Sequence, residues 1–370
     1  MKLSVSKENL LGPLQQVVGV VERRQTMAIL SNVLLRTIDD RLLITGTDLE
    51  VQMIASASAE ISAPVAVTVP ARKLLDICRS LPDGAVLKME CLQDKISLQA
   101  GKSRFTLATL PAENYPAFDA ASGFDFAVDI AAAMLRRALD KTLFAMAQQD
   151  VRYYLNGLML ELSDGVLRAV ASDGHRLSLC EQPFASADST GFRQIIVPRK
   201  GVLELQRLLS SEDDEALLTF ELSSNNLRIT LGRVVFFAKL IDGRFPDYRR
   251  VLPKEIKWLL KIDRQEIKAA LTRVSILSND KFRGIHLSLA QDLLSLVAQN
   301  PEHEEAQEEI AVEYAGKPFS VGFNVSYLLD AINNVDSAEV MFLFPEDAHS
   351  CVIQDAATHD FKFIVMPIRF

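Results

Sequence analysis

Asp173 and His175 stand two residues apart inside Ser172-Asp173-Gly174-His175-Arg176. A carboxylate and an imidazole so placed could act as an acid/base pair. The competing role is local. On a Ser-Asp-Gly turn an aspartate commonly accepts hydrogen bonds from its own backbone, and the histidine packs or donates a structural bond. No second convergent acid/base motif accompanies the pair, so catalysis ranks well below the turn. The other histidines, His286, His303, His349 and His359, show no HxxxH or HExxH spacing, and His303 lies in PEHEE, which reads as a solvated loop. The phosphate-binding and nucleophile motifs GxxxxGK[ST], GxGxxG and GxSxG are absent. Neither a metal nor a cofactor is expected. Tyr153-Tyr154, just after Gln148-Gln149-Asp150, read first as sheet aromatics; stacking on nucleic-acid bases is their functional alternative.

These residues sit on a stretch, Gln148 to Leu179, that predicts a helix end, a β-hairpin and a charged loop. Leu158, Leu160 and Leu162 alternate, Ser163-Asp164-Gly165 makes the turn, and Val166 and Leu167 begin the return strand. The same outline occurs three times. A helix, a hairpin, a strand ending in Val or Val-Pro, a second helix and further strands begin near Ser6, restart at Asp129 and restart again at Asp263. Asp48 to Asp173 spans 125 residues and Asp173 to Asn300 spans 127; Val69 to Val197 spans 128 and Val197 to Val321 spans 124. Three unrelated domains would not keep order and spacing together, so the chain is read as a threefold repeat of domain-sized units. Each unit has two helices and about eight short strands of period two, an α+β architecture of antiparallel sheets backing helices. The expected domains are 1–124, 125–253 and 254–370.

The chain has 370 residues, 49% apolar and 24% charged, with a net charge of −8. No run of about 18 apolar residues suggests a membrane span. The opening MKLSVSKENLLGPLQQ has no signal-peptide pattern, and a cytoplasmic location is expected. Cys78, Cys91, Cys180 and Cys351 lack CxxC spacing and read as reduced, buried small hydrophobes. The negative balance argues against tight capture of nucleic acid, but distribution matters more than the sum. Residues 70–80, 130–147 and 198–209 each carry a local +2, from Arg72, Lys73 and Arg79, from Arg136, Arg137 and Lys141, and from Arg199, Lys200 and Arg207; residues 263–273 carry +1. The acidic residues gather in stretches read as loops, Glu212–Glu215 and Pro301–Glu309. For one helix a solvated face is the better reading; four of six helices point to one shared positive surface of low charge density. Such a surface suits loose backbone contact, not base readout.

The strings VRYYLNG (Val151–Gly157), SDGHRLSL (Ser172–Leu179), IIVPRKGVLEL (Ile195–Leu205), KLIDGRFPDYRRVLP (Lys239–Pro253), ILSNDKFRG (Ile276–Gly284), GFNVSYLLD (Gly322–Asp330) and VMPIR (Val365–Arg369) resemble the bacterial DNA polymerase III β subunit family, the sliding clamps. TGTDLE (Thr45–Glu50) and VPARKLLDICRSLP (Val69–Pro82) extend the resemblance into the first unit. The resemblance implies a head-to-tail homodimer, a ring of six clamp domains whose helices line a hole around double-stranded DNA. It implies a processivity factor without catalysis that tethers the polymerase III catalytic subunit, the clamp loader, other polymerases and mismatch-repair or ligase proteins carrying clamp-binding motifs, with no membrane partner. DNA contacts are implied at Arg24, Arg72, Gln149, Tyr153 and Tyr154, joined by Arg136, Arg137 and Arg207 from the basic helices. The implied partner-peptide pocket is walled by Leu155, Ser172, Gly174, His175, Arg176, Leu177, Pro246, Arg250, Val251, Asn324, Tyr327, Val365, Met366, Pro367, Ile368 and Arg369. The implied dimer contact sets Arg104, Phe105 and Leu107 of one copy against Lys268–Leu277 of the other, with Ile276 and Leu277 as its apolar part. Three departures from the enterobacterial pattern stand out: Ser172 for threonine, Ile368-Arg369-Phe370 for a Met-Arg-Leu ending, and Glu22-Arg23 for glycines before Arg24.

Overall fold

The computed structural model describes residues 2–22, 27–118, 123–184, 191–346 and 349–368. Among them run six α-helices, two per repeat: α1 (Lys7–Val18), α2 (Ala71–Ser80), α3 (Ala132–Asp140), α4 (Arg199–Leu209), α5 (Arg264–Val274) and α6 (Val325–Asn333). Their starts follow from side chains that satisfy the orphan N–H groups of a first turn. Ser6 accepts from Asn9 N at the head of α1. Asp263 accepts from Gln265 N and Glu266 N at 2.9 Å each, with Glu266 at the third position as in a capping box. Asn324 serves α6 in the same way. Helix α3 is shorter than the 130–147 expected; it stops at Asp140, and Leu143–Ala145 forms a separate 3₁₀ turn.

The chain divides into two compact units, residues 1–136 with 200–241 and residues 137–199 with 242–370. The middle repeat is thus shared out. In the first unit, Glu60–Ala63, Lys2–Ser6, Val86–Cys91, Lys95–Ala100 and Ser103–Ala108 form a five-stranded sheet. A nine-stranded sheet runs from Leu110–Pro111 to Phe126–Ala131, and at its centre Val51–Ser58 pairs with Val234–Lys239 of the next repeat. In the second unit an eight-stranded sheet joins Arg176–Pro183 to Phe361–Val365, Arg176 opposite Val365. A four-stranded sheet ends on one side in Glu305–Ala311. Every pairing is antiparallel, and fusing ladders of successive repeats satisfies strand edges that separate domains would leave open.

Each helix buries an apolar stripe on these sheets. In α1 it is Leu10, Leu14, Val17 and Val18. Gly46 of Thr45-Gly46-Thr47 lets α1 approach closely, since a Cβ there would meet Val17 Cγ1 at 2.7 Å. Of the four free cysteines, Cys78, Cys180 and Cys351 are buried as expected; Cys91, at a strand end, is half-buried. The acidic stretch 301–309 is not all loop. Glu305–Ala311 is a strand in which Ala306, Glu308 and Ile310 share the less exposed face while Glu305, Gln307 and Glu309 are exposed, so charge density masked a period-two pattern.

A buried carboxylate fastens the end of α6 in the second unit. Asp355 is fully buried and accepts from the backbone N–H groups of Asp336, Ser337, Ala357 and Thr358 at 2.9, 2.8, 2.7 and 3.2 Å. Burial alone would raise its pKa, but the backbone donors outweigh that and hold it at about 2. A folded pKa below the unfolded value contributes stability that is present above pH ~4 and lost as pH falls toward 2. Asp355→Ala is expected to destabilise the second unit by about 3 kcal/mol, because four donors lose their acceptor. Urea unfolding at several pH values should show the variant's stability falling less steeply than the parent's from pH 4 to 2; parallel curves would contradict the assignment.

Candidate peptide-docking site

The hairpin expected from Leu158, Leu160 and Leu162 forms. Gly157–Ser163 pairs with Val166–Ser172, and Asp164 and Gly165 both adopt positive φ (53° and 69°), the signature of a type I′ turn. Beyond Ser172 the chain closes a tight loop. His175 N and Arg176 N donate to Asp173 Oδ1 at 2.9 and 3.0 Å, and Gly174 N donates to Ser172 Oγ at 3.0 Å. The Asp173 carboxylate is therefore occupied by backbone and by Arg176 Nε, in the turn role and not as a proton acceptor from the imidazole. Gly174 adopts φ +88°, a left-handed conformation that favours glycine.

This loop forms one wall of a cavity of about 220 Å³ in the second unit. Leu155, at the end of the 3₁₀ turn Tyr153–Leu155, and Leu177 form its buried floor. Tyr154, Phe245, Pro246, Tyr248 and Val251 form a second wall, and Met366 completes the lining. Arg152, Ser172 and Asp247 supply a polar rim. The volume is below the ~300–1,000 Å³ of sites that enclose whole small ligands. It suits an apolar side chain or two projecting from a peptide, with rim groups to orient the backbone. A more open cleft of about 550 Å³ adjoins it, sharing Val251 and Met366 and lined further by Arg250, Pro253, Lys254 and Pro345.

The cavity gathers eight of the sixteen pocket residues implied by resemblance: Leu155, Ser172, Gly174, Arg176, Leu177, Pro246, Val251 and Met366. The others stand around it. Arg250 lines the adjoining cleft, and His175 is exposed on the loop, its carbonyl accepting from Met366 N at 2.9 Å. Val365 is buried in the sheet, Pro367 is half-buried, and Ile368 N bonds Gly322 O at 2.8 Å. Asn324 is committed to capping α6. Tyr327 lies under the Arg176 guanidinium at 4.4 Å. Arg176 also meets Asp330 at 2.5 Å and donates to Phe144 O at 2.8 Å, so it ties the loop to α6 as well as lining the cavity. Arg369 lies outside the described residues, as does Arg24. Arg152, Tyr154, Phe245, Asp247 and Tyr248 were missed as wall residues, Tyr154 having been expected only at DNA. Asp150 holds Arg152 by two bonds, at 3.0 and 2.7 Å, and that guanidinium in turn keeps the Asp150 carboxyl at about 2.

The implied nucleic-acid contacts divide into free and committed groups. Arg72, Lys73 and Arg79 on α2 are exposed and form no ion pair among the described residues; Arg72 donates to Val21 O at 3.2 Å. Gln149 and Tyr153 are exposed and Tyr154 is half-buried, with the two rings edge to face at 5.8 Å. Arg136 instead pairs with Asp214 and donates to the carbonyls of Leu209 and Glu212. Arg137 pairs with Asp336 and Asp360, which holds its proton more tightly. Arg207 pairs with Glu204 and reaches Gln15 O and Gln16 O. Successive helix residues point ~100° apart, so Arg136 and Arg137 find different partners. Their local +2 is largely neutralised by carboxylates far along the chain.

At the implied dimer contact, Ser103–Ala108 is the terminal strand of its sheet, with Arg104 exposed, Phe105 half-buried and Leu107 turned into the core. Ile276 is 75% exposed just beyond α5, and Leu277 is half-buried. The outer strand Glu305–Ala311, absent from the sequence reading of this contact, is a second open edge, and its Glu308 pairs with Arg273 at 2.7 Å.

Three family models match in chain order: the N-terminal domain of the DNA polymerase III beta subunit over residues 1–119, the central domain over 129–247 and the C-terminal domain over 249–369. The beta sliding clamp of Pseudomonas aeruginosa is 48% identical over 370 residues, and that of Escherichia coli K12 is 44% identical over 371, each covering the whole of both chains. A crystal structure of the Pseudomonas aeruginosa DNA polymerase III subunit beta superposes with a TM-score of 0.96 at 47% identity, again over all of both chains. With repeat, fold and full-length likeness in agreement, the chain belongs to the DNA polymerase III beta subunit family, the beta sliding clamps.

Proposed function

We propose that this chain acts in DNA replication as a sliding clamp: two copies close head to tail around duplex DNA and tether the replicative polymerase through the cavity floored by Leu155 and Leu177. The observation that carries this reading is the match to all three family domains, in order and end to end. The domains are taken as 1–124, 125–253 and 254–370. The clamp makes and breaks no bonds in this reading and works in the cytoplasm.

A ring holds DNA topologically, so its inner surface needs only weak, mobile contacts; tight phosphate binding would brake sliding. The exposed Arg72, Gln149 and Tyr153, with Tyr154 and Arg24, are assigned to those contacts. Arg136, Arg137 and Arg207 are assigned a background electrostatic part, since their guanidinium groups are held by partners within the chain. Closure is assigned to the Ser103–Ala108 edge of one copy meeting the Lys268–Leu277 region of the other, alongside the open edge Glu305–Ala311. Partners are the polymerase III catalytic subunit, the clamp loader, and other polymerases, mismatch-repair or ligase proteins bearing clamp-binding motifs. Each docks a short peptide, and ring retention then raises its effective concentration at the primer end. In primer extension with the cognate polymerase and loader under single-encounter conditions, the chain should lengthen products by more than about tenfold. Products of unchanged length would refute the reading.

A further inference from the structure

Glu161 is fully buried on Gly157–Ser163, the first strand of the hairpin that leads into the cavity loop, and nothing in the docking or DNA-binding reading uses it. Its Oε1 lies 3.2 Å from Arg168 Nη1 and 3.0 Å from Arg249 Nη2, and its Oε2 accepts from Gln194 Nε2 at 3.4 Å. Of the two arginines, Arg168 has other support, with Nε on Glu181 at 2.8 Å and Nη1 on Ser163 Oγ at 2.8 Å. Arg249 has Glu161 as its one carboxylate partner among the described residues.

Arg249 sits in the 3₁₀ turn Tyr248–Arg250, between the cavity-wall residues Tyr248 and Val251. That wall is lightly fastened. From residue 242 to residue 256 the described backbone makes two backbone hydrogen bonds, Arg250 N to Asp247 O and Val251 N to Tyr248 O, both inside the turn. What ties the segment down is the burial of Phe245 and Tyr248, with Arg249 stacked at 5.0 Å over the Tyr248 ring and reaching in to Glu161. A charge pair with a buried acceptor is directional, whereas burial of two rings leaves the turn free to slide.

We propose that Glu161 is a positioning residue for partner-peptide binding: by holding Arg249 it fixes the Pro246–Val251 wall, so that the cavity is pre-formed for an apolar anchor side chain. The proposal rests on the docking role of that cavity and adds that the wall's rigidity is set by a residue outside the cavity lining. Pre-formation removes an ordering cost from binding, and its loss appears mainly as faster dissociation.

The test uses the full-length chain and a fluorescein-labelled peptide carrying the clamp-binding motif of the cognate polymerase III catalytic subunit. Arg249→Met, which keeps the apolar stem at a largely exposed position, should bind about fivefold more weakly, with a melting temperature within about 2 °C of the parent. Arg249→Lys should recover binding to within about twofold. Glu161→Gln should match Arg249→Met, and the double variant should be no weaker than either single, because both remove one link. An Arg249→Met affinity within about 1.5-fold of the parent, no recovery by lysine, or losses that add in the double variant would each overturn the proposal. A parent chain that fails to bind the peptide would overturn the docking role itself, an outcome distinct from these three.

Discussion

Replacing Val251 by aspartate is expected to weaken binding of a partner peptide by at least about a hundredfold, with thermal stability close to the parent's. Val251 is half-buried and faces both the small cavity and the adjoining cleft, so its side chain is partly solvated when no peptide is bound. The substitution therefore costs the free chain little. An anchor side chain entering the cavity would have to strip water from the new carboxylate, and the arginines that line the cavity, Arg152 and Arg176, are already held by Asp150, Asp173 and Asp330. About 3 kcal/mol is a moderate value for such a group, and that is roughly two orders of magnitude in affinity. Fluorescence anisotropy with a labelled motif peptide reads it directly; an affinity within about twofold of the parent would remove the cavity from the binding site.

The second large effect is on assembly. Ile276→Asp is expected to shift the chain from dimer to monomer at micromolar concentration, raising the dimer dissociation constant by more than about a hundredfold. An isoleucine that is 75% exposed just beyond α5 has lost little of its contact with water, and under the proposed head-to-tail closure a second copy would cover it. Because the residue is exposed, the charge costs the monomer almost nothing; pairing it with Leu277→Asp deepens the effect at some cost to the half-buried leucine site. Sedimentation velocity across a dilution series measures the outcome, and a parent-like dimer would move the interface elsewhere.

The local features of this fold were legible in the sequence, and the reasons are physical. Helices α2, α4, α5 and α6 carry apolar stripes of helical period, the hairpin at Asp164-Gly165 carries the turn residues that positive φ demands, and Asp263 announces the start of α5. What was not legible depends on partners distant along the chain. The join of Val51–Ser58 to Val234–Lys239 has no local signal, so the expected threefold repeat gave no sign that sheets run from one repeat into the next. Charge counting marked Arg136 and Arg137 as a free basic face, but their carboxylates Asp214, Asp336 and Asp360 lie 78, 199 and 223 residues away. The cavity shows the same division. Resemblance supplied Leu155, Leu177 and Met366, while Arg152, Phe245 and Tyr248 become wall residues only once the turn at 245–251 packs against the hairpin.

Whether the chain holds DNA by encircling it decides its role as a clamp. The chain should be loaded onto nicked circular DNA by its clamp loader, separated from free protein by gel filtration, and the DNA then cut once with a restriction enzyme. A ring should stay with the circle at salt high enough to screen phosphate contacts and leave within minutes of linearisation. Retention that is equal on circular and linear DNA, or that vanishes from both as salt rises, would mean that electrostatic adhesion, not topology, holds the chain to DNA.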